Sequence, residues 1–73
     1  MSQVFESTEQ LVSLIKKRRE ELGITQSELA QLSNLSINGI SKFESSGREV
    51  KISTLFKLGE ILGFKLSLVF DDE

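Results

Sequence analysis

The sequence predicts a small, mainly α-helical domain of four to five helices that ends in one β-strand. Apolar residues recur at helical spacing through most of the 73-residue chain and alternate with polar residues only near its end. Capping residues divide the helical pattern into short segments. The length is enough for one small domain, so we expect residues 1–73 to form a single unit with a helical core over 9–63.

The first helix is expected to begin at Ser7 or Thr8, which are good N-cap residues. Basic residues at 16–19 lie near its end, where cations suit the helix dipole, and Gly23 is a natural terminating residue. The apolar residues at helical spacing are Leu11, Leu14, Ile15 and Leu22.

The segment 25–44, TQSELAQLSNLSINGISKFE, predicts two short helices joined by a tight turn. Thr25 and Glu28 have the spacing of a capping box at the start of the first of these helices. Asn34 falls at the turn, where its tolerance of left-handed backbone is useful, and Ser36 is expected to cap the following helix. The residues expected to face inward are Leu29, Ala30, Leu32, Ile40 and Phe43.

The third helix has a distinctive outer side of small or hydrogen-bonding groups. A helix that buries one side and presents such groups on the other suits the major groove of DNA. Ile37 has two interpretations, core packing or contact with a thymine methyl group, and helical spacing alone favours neither. The other outer residues are Asn38, Gly39, Ser41 and Lys42.

The fourth helix follows a break in the pattern. Ser45, Ser46 and Gly47 interrupt it, and the segment to Lys51 is expected to be an exposed loop. Ser53 is expected to cap a helix that contains Leu55, Phe56, Leu58, Ile61 and Leu62 and ends at Gly63.

The last segment, FKLSLVF, alternates with period two and predicts a half-buried strand over 64–70. A single strand leaves both edges unpaired, which is unfavourable. We therefore expect it to pair with the same strand of a second copy, as a two-stranded antiparallel ribbon in a homodimer. The alternating residues assigned to dimerisation are Phe64, Leu66, Leu68 and Phe70.

Composition argues against several function classes. The chain has no Cys and no His, which removes the usual ligands of zinc and the usual general base of enzymes. We therefore expect no enzyme activity, no cofactor and no metal site. No apolar run approaches the roughly 20 residues that span a bilayer, and the start MSQVFESTEQ lacks signal-peptide features. A cytoplasmic protein without a membrane partner is the expectation.

The net charge of −2 comes from the acidic tail at 71–73, without which the chain would be slightly basic. The distribution of charge matters more than its sum, because a nucleic acid meets only one face. The basic residues form two groups, at Lys16, Lys17, Arg18 and Arg19 and at Lys42, Arg48 and Lys51. This distribution favours a specific, salt-sensitive DNA-binding protein.

Several elements in order resemble the Cro/cI-type (XRE) helix-turn-helix family, whose fold is lambda-repressor-like. They are RxxxGITQSELA, the turn at Asn34, LSINGISKFE and STLFKLGEILG, which together cover about 9–63. The family more often has Gly at the turn, and many relatives have polar residues where this chain has Ile37 and Gly39.

The resemblance implies roles for single residues. Thr25 and Gln26, at the start of helix 2, are expected at the DNA, where Gln26 would bond the DNA backbone. Arg19 is expected to pair with Glu44 and also touch phosphate. In the major groove, Asn38 would bond adenine and Lys42 would reach guanine or phosphate. The other residues expected at the DNA are Ser36, Ile37, Gly39 and Ser41 in helix 3 and Ser45, Ser46 and Arg48 after it.

Within this family, the strand FKLSLVF, the acidic tail and the spacing from Phe43 to Leu55 look most like the HipB antitoxins. This resemblance implies a homodimeric repressor of its own operon that binds double-stranded operator DNA and a HipA-like kinase toxin. Two alternatives stay open: a phage-type or restriction-controller repressor without a toxin, and a protein-interaction module that has lost DNA binding.

Overall fold

The computed structural model describes residues 2–46 and 49–72. These residues form helices without strands, in the mainly helical helix-turn-helix fold that the sequence predicts. In chain order the four helices are α1 (Thr8–Glu21), α2 (Gln26–Ser33), α3 (Ile37–Ser46) and α4 (Ile52–Leu62).

The caps of the first two helices are those predicted from the sequence. Ser7 caps α1, since its side-chain oxygen accepts a hydrogen bond from the backbone N–H of Gln10 at 3.1 Å. Thr25 and Glu28 form the complete capping box of α2: the Thr25 hydroxyl accepts from the Glu28 N–H at 3.0 Å, and the Glu28 carboxylate accepts from the Thr25 N–H at 2.9 Å. These bonds satisfy backbone donors that the first helical turn leaves unpaired.

The turn between α2 and α3 is made by Asn34, which adopts a left-handed conformation with φ 58° and ψ 36°. The prediction for this residue is confirmed. Among the described residues it is the one non-glycine with positive φ, in keeping with the tolerance of Asn for this region. Helix α3 then begins at Ile37, three residues after Asn34.

All four helices contribute to one apolar core. Its most deeply buried side chains are Leu29 of α2, Ile40 of α3 and Leu58 and Leu62 of α4, which are at most 1% exposed. Ile15 of α1 packs against the same cluster. The core thus sits between the helices and fixes the direction of α3.

The prediction that Leu32 faces the core is wrong, because this side chain is 62% exposed. The buried positions of α2 are Leu29, Ala30 and Ser33. At 100° per residue they span one narrow stripe, and position 32 falls about 100° from its centre. Ser33 can be buried because its hydroxyl donates a hydrogen bond to the Leu29 carbonyl at 2.6 Å.

Two helix boundaries also differ from the predictions. Helix α3 continues through Ser45 to Ser46, where the Ser46 hydroxyl donates to the Lys42 carbonyl and fits the helical backbone. Helix α4 has its N-cap at Lys51 rather than Ser53, without a side-chain capping bond. The backbone carbonyl of Lys51 already accepts bonds from Thr54 and Leu55, so Ser53 lies inside the first turn.

The end of α4 is fixed by two close contacts. Gly63 terminates the helix in the left-handed conformation, with φ 76°, as predicted. The chain then turns back so tightly that a Cβ atom on Gly59 would lie 2.7 Å from the carbonyl oxygen of Phe64. Arg18 of α1 adds a cross-link, since its Nε donates to the terminal carbonyl of Leu62 at 2.8 Å. A glycine at position 59 therefore permits the path of the residues that follow.

Residues 64–72, which we call the C-terminal segment, form neither helix nor strand ladder in the described part of this single chain. Phe64 and Leu66 are half-buried against the core. Leu68 and Phe70 are 83% and 77% exposed. The four residues assigned to dimerisation are thus divided, two against the chain's own core and two in solvent, and the paired strand stays a prediction.

Candidate nucleic-acid interface

Helix α3 presents a broad exposed face. Ile40 points into the core at 1% exposed, and Phe43 is half-buried beside it. Ile37 is 51% exposed, which leaves its side chain free to contact a ligand rather than the core. The remaining exposed residues of the helix are Asn38, Gly39, Ser41, Lys42, Ser45 and Ser46.

The start of α3 is capped by Ser36, whose hydroxyl oxygen accepts from the backbone N–H of Gly39 at 2.9 Å. Glycine at position 39 is exposed, and it also avoids a close contact: a Cβ atom there would lie 3.1 Å from that same oxygen. Ser36 therefore has a structural role beside its predicted place at the DNA, and Gly39 leaves the backbone of the outer face uncovered.

Beneath this face, Arg19 and Glu44 form an ion pair between α1 and α3. The Arg19 Nε donates to Glu44 Oε2 at 2.6 Å, and Nη2 donates to Oε1 at 3.0 Å. The two side chains are only 10% and 2% exposed. The third guanidinium nitrogen, Nη1, donates to the carbonyl of Ile24 at 2.6 Å. A two-pronged contact of this kind holds α3 at a fixed distance and angle from α1.

Gln26 joins this pair from the first turn of α2. Its Nε2 donates to Glu44 Oε1 at 2.9 Å. Because a carboxylate only accepts hydrogen bonds, this contact orients the Gln26 amide with its nitrogen toward Glu44. We call Arg19, Gln26 and Glu44 the polar junction, since they connect α1, α2 and α3 at one point.

The polar junction sets the ionisation of its members. Burial alone raises the pKa of Glu44, but the hydrogen bonds from Arg19 and Gln26 outweigh it and hold this pKa below its ordinary value. The hydrogen bond to Glu44 raises the pKa of Arg19 against the opposing effect of burial. Both groups are therefore charged at neutral pH, and the pair is an ionic one.

Other residues predicted to contact DNA are buried, bonded within the chain or outside the described residues. Arg19 is 8% exposed with all three guanidinium nitrogens bonded internally, so it lies under the exposed face rather than on it. The hydroxyl groups of Thr25 and Ser46 are held by the cap of α2 and by the Lys42 carbonyl. Arg48 lies outside the described residues.

The described residues contain no group of three or more acidic, His or Cys side chains that could hold a metal ion. None of the helices in the part of the chain that the structure describes is long and apolar enough to cross a membrane.

A sequence profile of the HTH_3 helix-turn-helix family matches residues 15–69, which is most of the chain. The chain belongs to this family. No curated protein matches its sequence significantly. Among solved structures, this helix-turn-helix protein is similar to a chain of the HipA-HipB-O2-O3 complex, with 31% identity, a TM-score of 0.86 and coverage of 97% of this chain and 100% of the other.

Further HipB structures give the same relation. A chain of a HipB-O4 20mer complex is 31% identical with a TM-score of 0.86, over 97% of this chain and 100% of that one. A chain of a HipB-O1-O2 complex is 30% identical with a TM-score of 0.80, over 96% and 100%. The resemblance stated from the sequence is confirmed: this is an XRE-type helix-turn-helix protein of the HipB kind.

Sequence reasoning missed three features of this helix-turn-helix protein. The bond between Gln26 and Glu44 joins residues 18 positions apart, and no local spacing indicates it. Arg18 bonds the end of α4, although its basic neighbours suggested only a solvated helix end. Ile52 and Phe56, 59% and 58% exposed, lie one turn apart on α4 and could have been found from that spacing.

Proposed function

We propose that this protein is a homodimeric transcriptional repressor that reads operator DNA with α3 and acts as the antitoxin of a toxin-antitoxin operon. The observation that carries the proposal is the exposed outer face of α3, held rigidly by the polar junction, in a chain similar along nearly its whole length to HipB in its complexes.

In this proposal the outer face of α3 enters the major groove. Asn38 can form two hydrogen bonds with the edge of adenine, and Lys42 can reach guanine or a phosphate. Ile37, half exposed at the first turn, is positioned for a thymine methyl group. Gly39 lets the helix backbone approach the base edges, and Ser41 adds a short hydroxyl on the same side.

Phosphate contacts would surround this face. Gln26 keeps one amide hydrogen after its bond to Glu44, and the N-terminus of α2 adds its dipole, so the two together can bind one phosphate. Ser45 is exposed at the far end of α3. Arg19 supports this arrangement from below, in place of the direct phosphate contact expected from the resemblance.

Dimerisation would place two such faces on successive major grooves, about 34 Å apart, on a palindromic site. The uncovered apolar surface available for it comprises Leu68 and Phe70 of the C-terminal segment. Ile52 and Phe56 of α4 are a second exposed apolar pair on one side of that helix, and Phe56 lines a groove with Leu66 of the C-terminal segment. Occupancy of the operator by the dimer would block transcription from a nearby promoter, which in this proposal is its own.

The toxin partner is the finer part of the proposal. It is supported by similarity to a chain from a complex that contains HipA. The alternative is a repressor without a toxin. Its DNA-reading face would be the same as that of an antitoxin, so this face does not distinguish the two. Purified protein mixed with the HipA-like kinase of the proposed operon should give a complex on size-exclusion chromatography. Separate elution of the two proteins would leave the repressor and remove the antitoxin role.

DNA reading is tested by Lys42→Ala. We expect operator affinity to fall by about 1–3 kcal/mol when measured by fluorescence anisotropy at fixed salt, because Lys42 contacts a base or phosphate. Lys57→Ala, in α4, is the matched control and should bind as the wild type does. Equal affinity of wild type and Lys42→Ala would contradict the assignment of this residue.

The competing interpretation is a protein-interaction module that has lost DNA binding. A gel-shift titration of the folded dimer against its own upstream region, at low salt, separates the two. Absence of any shift would end the repressor proposal, because phosphate contacts alone give measurable binding when salt is low.

A further inference from the structure

Four basic residues follow one another near the end of α1, at positions 16–19, and their surroundings differ. Arg19 is buried and bonded to Glu44 of α3. Arg18 is bonded to the carbonyl of Leu62 at the end of α4. Consecutive residues of a helix point about 100° apart, so the four side chains are distributed around α1 rather than gathered on one side. One partner surface therefore cannot meet all four of them.

Lys16 lies on the side of α1 that is next to α3. The buried residues Val12, Ile15 and Arg19 form one stripe along α1, and Lys16 and Arg18 border this stripe on opposite flanks. The Arg18 flank meets the end of α4, so the Lys16 flank is the one beside α3, the other helix that α1 contacts. The side chain of Lys16 is exposed there.

The charge of Lys16 acts on the polar junction. Burial raises the pKa of Glu44, whereas the hydrogen bonds from Arg19 and Gln26 lower it. The charges of Arg19 and Lys16 lower this pKa further. Such an effect weakens with distance and with salt, so the ammonium group of Lys16 lies close to the junction. The structure thus places this group beside Glu44, on an exposed side chain.

The junction by itself has no net charge to offer an anion, because the charges of Arg19 and Glu44 cancel and Gln26 is neutral. Lys16 adds one positive charge at its edge. Glu20 lies on the same flank four residues later, and after the hydrogen bond to Glu44 its charge also raises the pKa of Arg19. Among the described residues Lys16 forms no ion pair with Glu20 or Glu44. Its ammonium group is therefore available to an anion that approaches from solvent.

We propose that Lys16 binds a phosphate of the DNA backbone, next to the phosphate contacted by Gln26 and the start of α2, and that Lys17 does not. A lysine suits this role because it carries a point charge on a flexible stem. Lys17 is about 100° further round α1 and points away from the buried stripe. The inference rests on the proposed function and adds a DNA contact from α1, a helix that otherwise only supports α3.

The salt dependence of DNA binding tests this contact. Lys16→Gln should be titrated by fluorescence anisotropy against a duplex from the protein's own upstream region over a series of salt concentrations. Each phosphate contact contributes about 0.9 to the slope of log affinity against log salt, so the slope should fall by about 1.8 for a dimer with one Lys16 per subunit. Affinity near about 0.1 M salt should fall roughly 10- to 100-fold, with a smaller loss as salt rises.

Lys17→Gln is the matched control, because it removes the same charge from the neighbouring exposed position of the same helix. Its salt slope should stay close to that of wild type. Lys16→Arg keeps the positive charge and should keep the slope. A phosphate contact carries no base information, so the loss in Lys16→Gln should be similar on duplexes with substituted base pairs. Circular dichroism should show a thermal midpoint near that of wild type, since Lys16 is exposed.

The outcomes separate this contact from the proposed function. Equal changes of slope in Lys16→Gln and Lys17→Gln would mean a general effect of net charge and would overturn the assignment. A wild-type slope in Lys16→Gln would overturn it as well and leave the repressor proposal in place. A wild-type protein that binds no duplex at low salt overturns both. A smaller slope in Lys16→Gln alone, restored by Lys16→Arg, supports the contact.

Discussion

The polar junction and the C-terminal segment differ in whether their side chains find partners within the same chain. At the junction, the carboxylate of Glu44 and the guanidinium of Arg19 are buried, and each has its hydrogen-bond partners within the same chain. In the C-terminal segment, Leu68, Val69 and Phe70 are apolar and 77–84% exposed. A single copy of the chain therefore pairs the buried charges of the junction but leaves the apolar side chains of the C-terminal segment uncovered.

This difference separates two tasks in one small domain. A buried charge without its partner is costly, so the junction fixes α3 before any other molecule is present. An exposed apolar segment is tolerated in one chain but is stabilised by association, because burial then removes its surface from water. The position of α3 is therefore fixed within one chain, whereas in the proposed function the spacing of two such helices would be set by the dimer.

Removal of the junction's carboxylate should have the largest effect. Glu44→Ala leaves the Arg19 guanidinium buried without its ionic partner, and we expect a loss of about 3–5 kcal/mol in the free energy of unfolding. Urea unfolding at a fixed, high protein concentration measures it. Glu60→Ala, at an exposed position of α4, is the control. Similar midpoints for both variants would mean that Arg19 and Glu44 behave as independent surface charges.

A change in the C-terminal segment should act on association rather than on the fold. Phe70→Ala should weaken dimerisation by about 2–4 kcal/mol, because it removes a large apolar anchor from the interface. The helical content of the monomer should be unchanged by circular dichroism. Sedimentation equilibrium measures the dimer constant, and a wild-type value would exclude Phe70 from the interface.

Gly59 of α4 supports the C-terminal segment, since it permits the chain to turn back after the helix. Substitution of Ala for Gly inside a helix usually stabilises it by up to about 1 kcal/mol. Here the added Cβ would lie 2.7 Å from the Phe64 carbonyl oxygen, so we expect Gly59→Ala to destabilise by about 1–3 kcal/mol. The sign of the change in thermal midpoint is thus diagnostic. A higher midpoint than wild type would show that the C-terminal segment is not held against α4.

The smallest predicted effect is on pH dependence. The pKa of Glu44 is lower in the folded protein than in the unfolded chain, so unfolding takes up a proton once the pH falls below the ordinary value of about 4.3. Stability from this group is complete above that pH and declines as the pH falls toward the folded pKa. Wild type should lose stability between about pH 5 and pH 3 more steeply than Glu44→Gln. Parallel pH curves would exclude a contribution from Glu44.

Local features were predictable because short-range chemistry determines them. The caps at Ser7 and Thr25, the turn at Asn34 and the end of α4 at Gly63 each depend on a few neighbouring residues. The face of α3 followed from helical spacing and from the family resemblance. That resemblance also brought Arg19 and Glu44 together, although they are 25 positions apart.

Other features depend on packing that the sequence does not express. Leu32 was predicted to face the core because it is apolar, but the buried side of α2 includes Ser33 instead. Ser53 looked like a cap, but backbone bonds to Lys51 begin α4 earlier. Gln26 could not be joined to Glu44 by spacing, because the bond exists only after α2 and α3 have packed together.

The support of α3 lies entirely on its inner side, at Ile40, Phe43 and Glu44. The side chains of Asn38, Ser41 and Lys42 are exposed on the other side, and Ile37 is half exposed. If α3 reads the operator as proposed, exchange of these outer residues should change operator preference while the scaffold stays intact. We expect such variants to keep the wild-type thermal midpoint to within a few degrees.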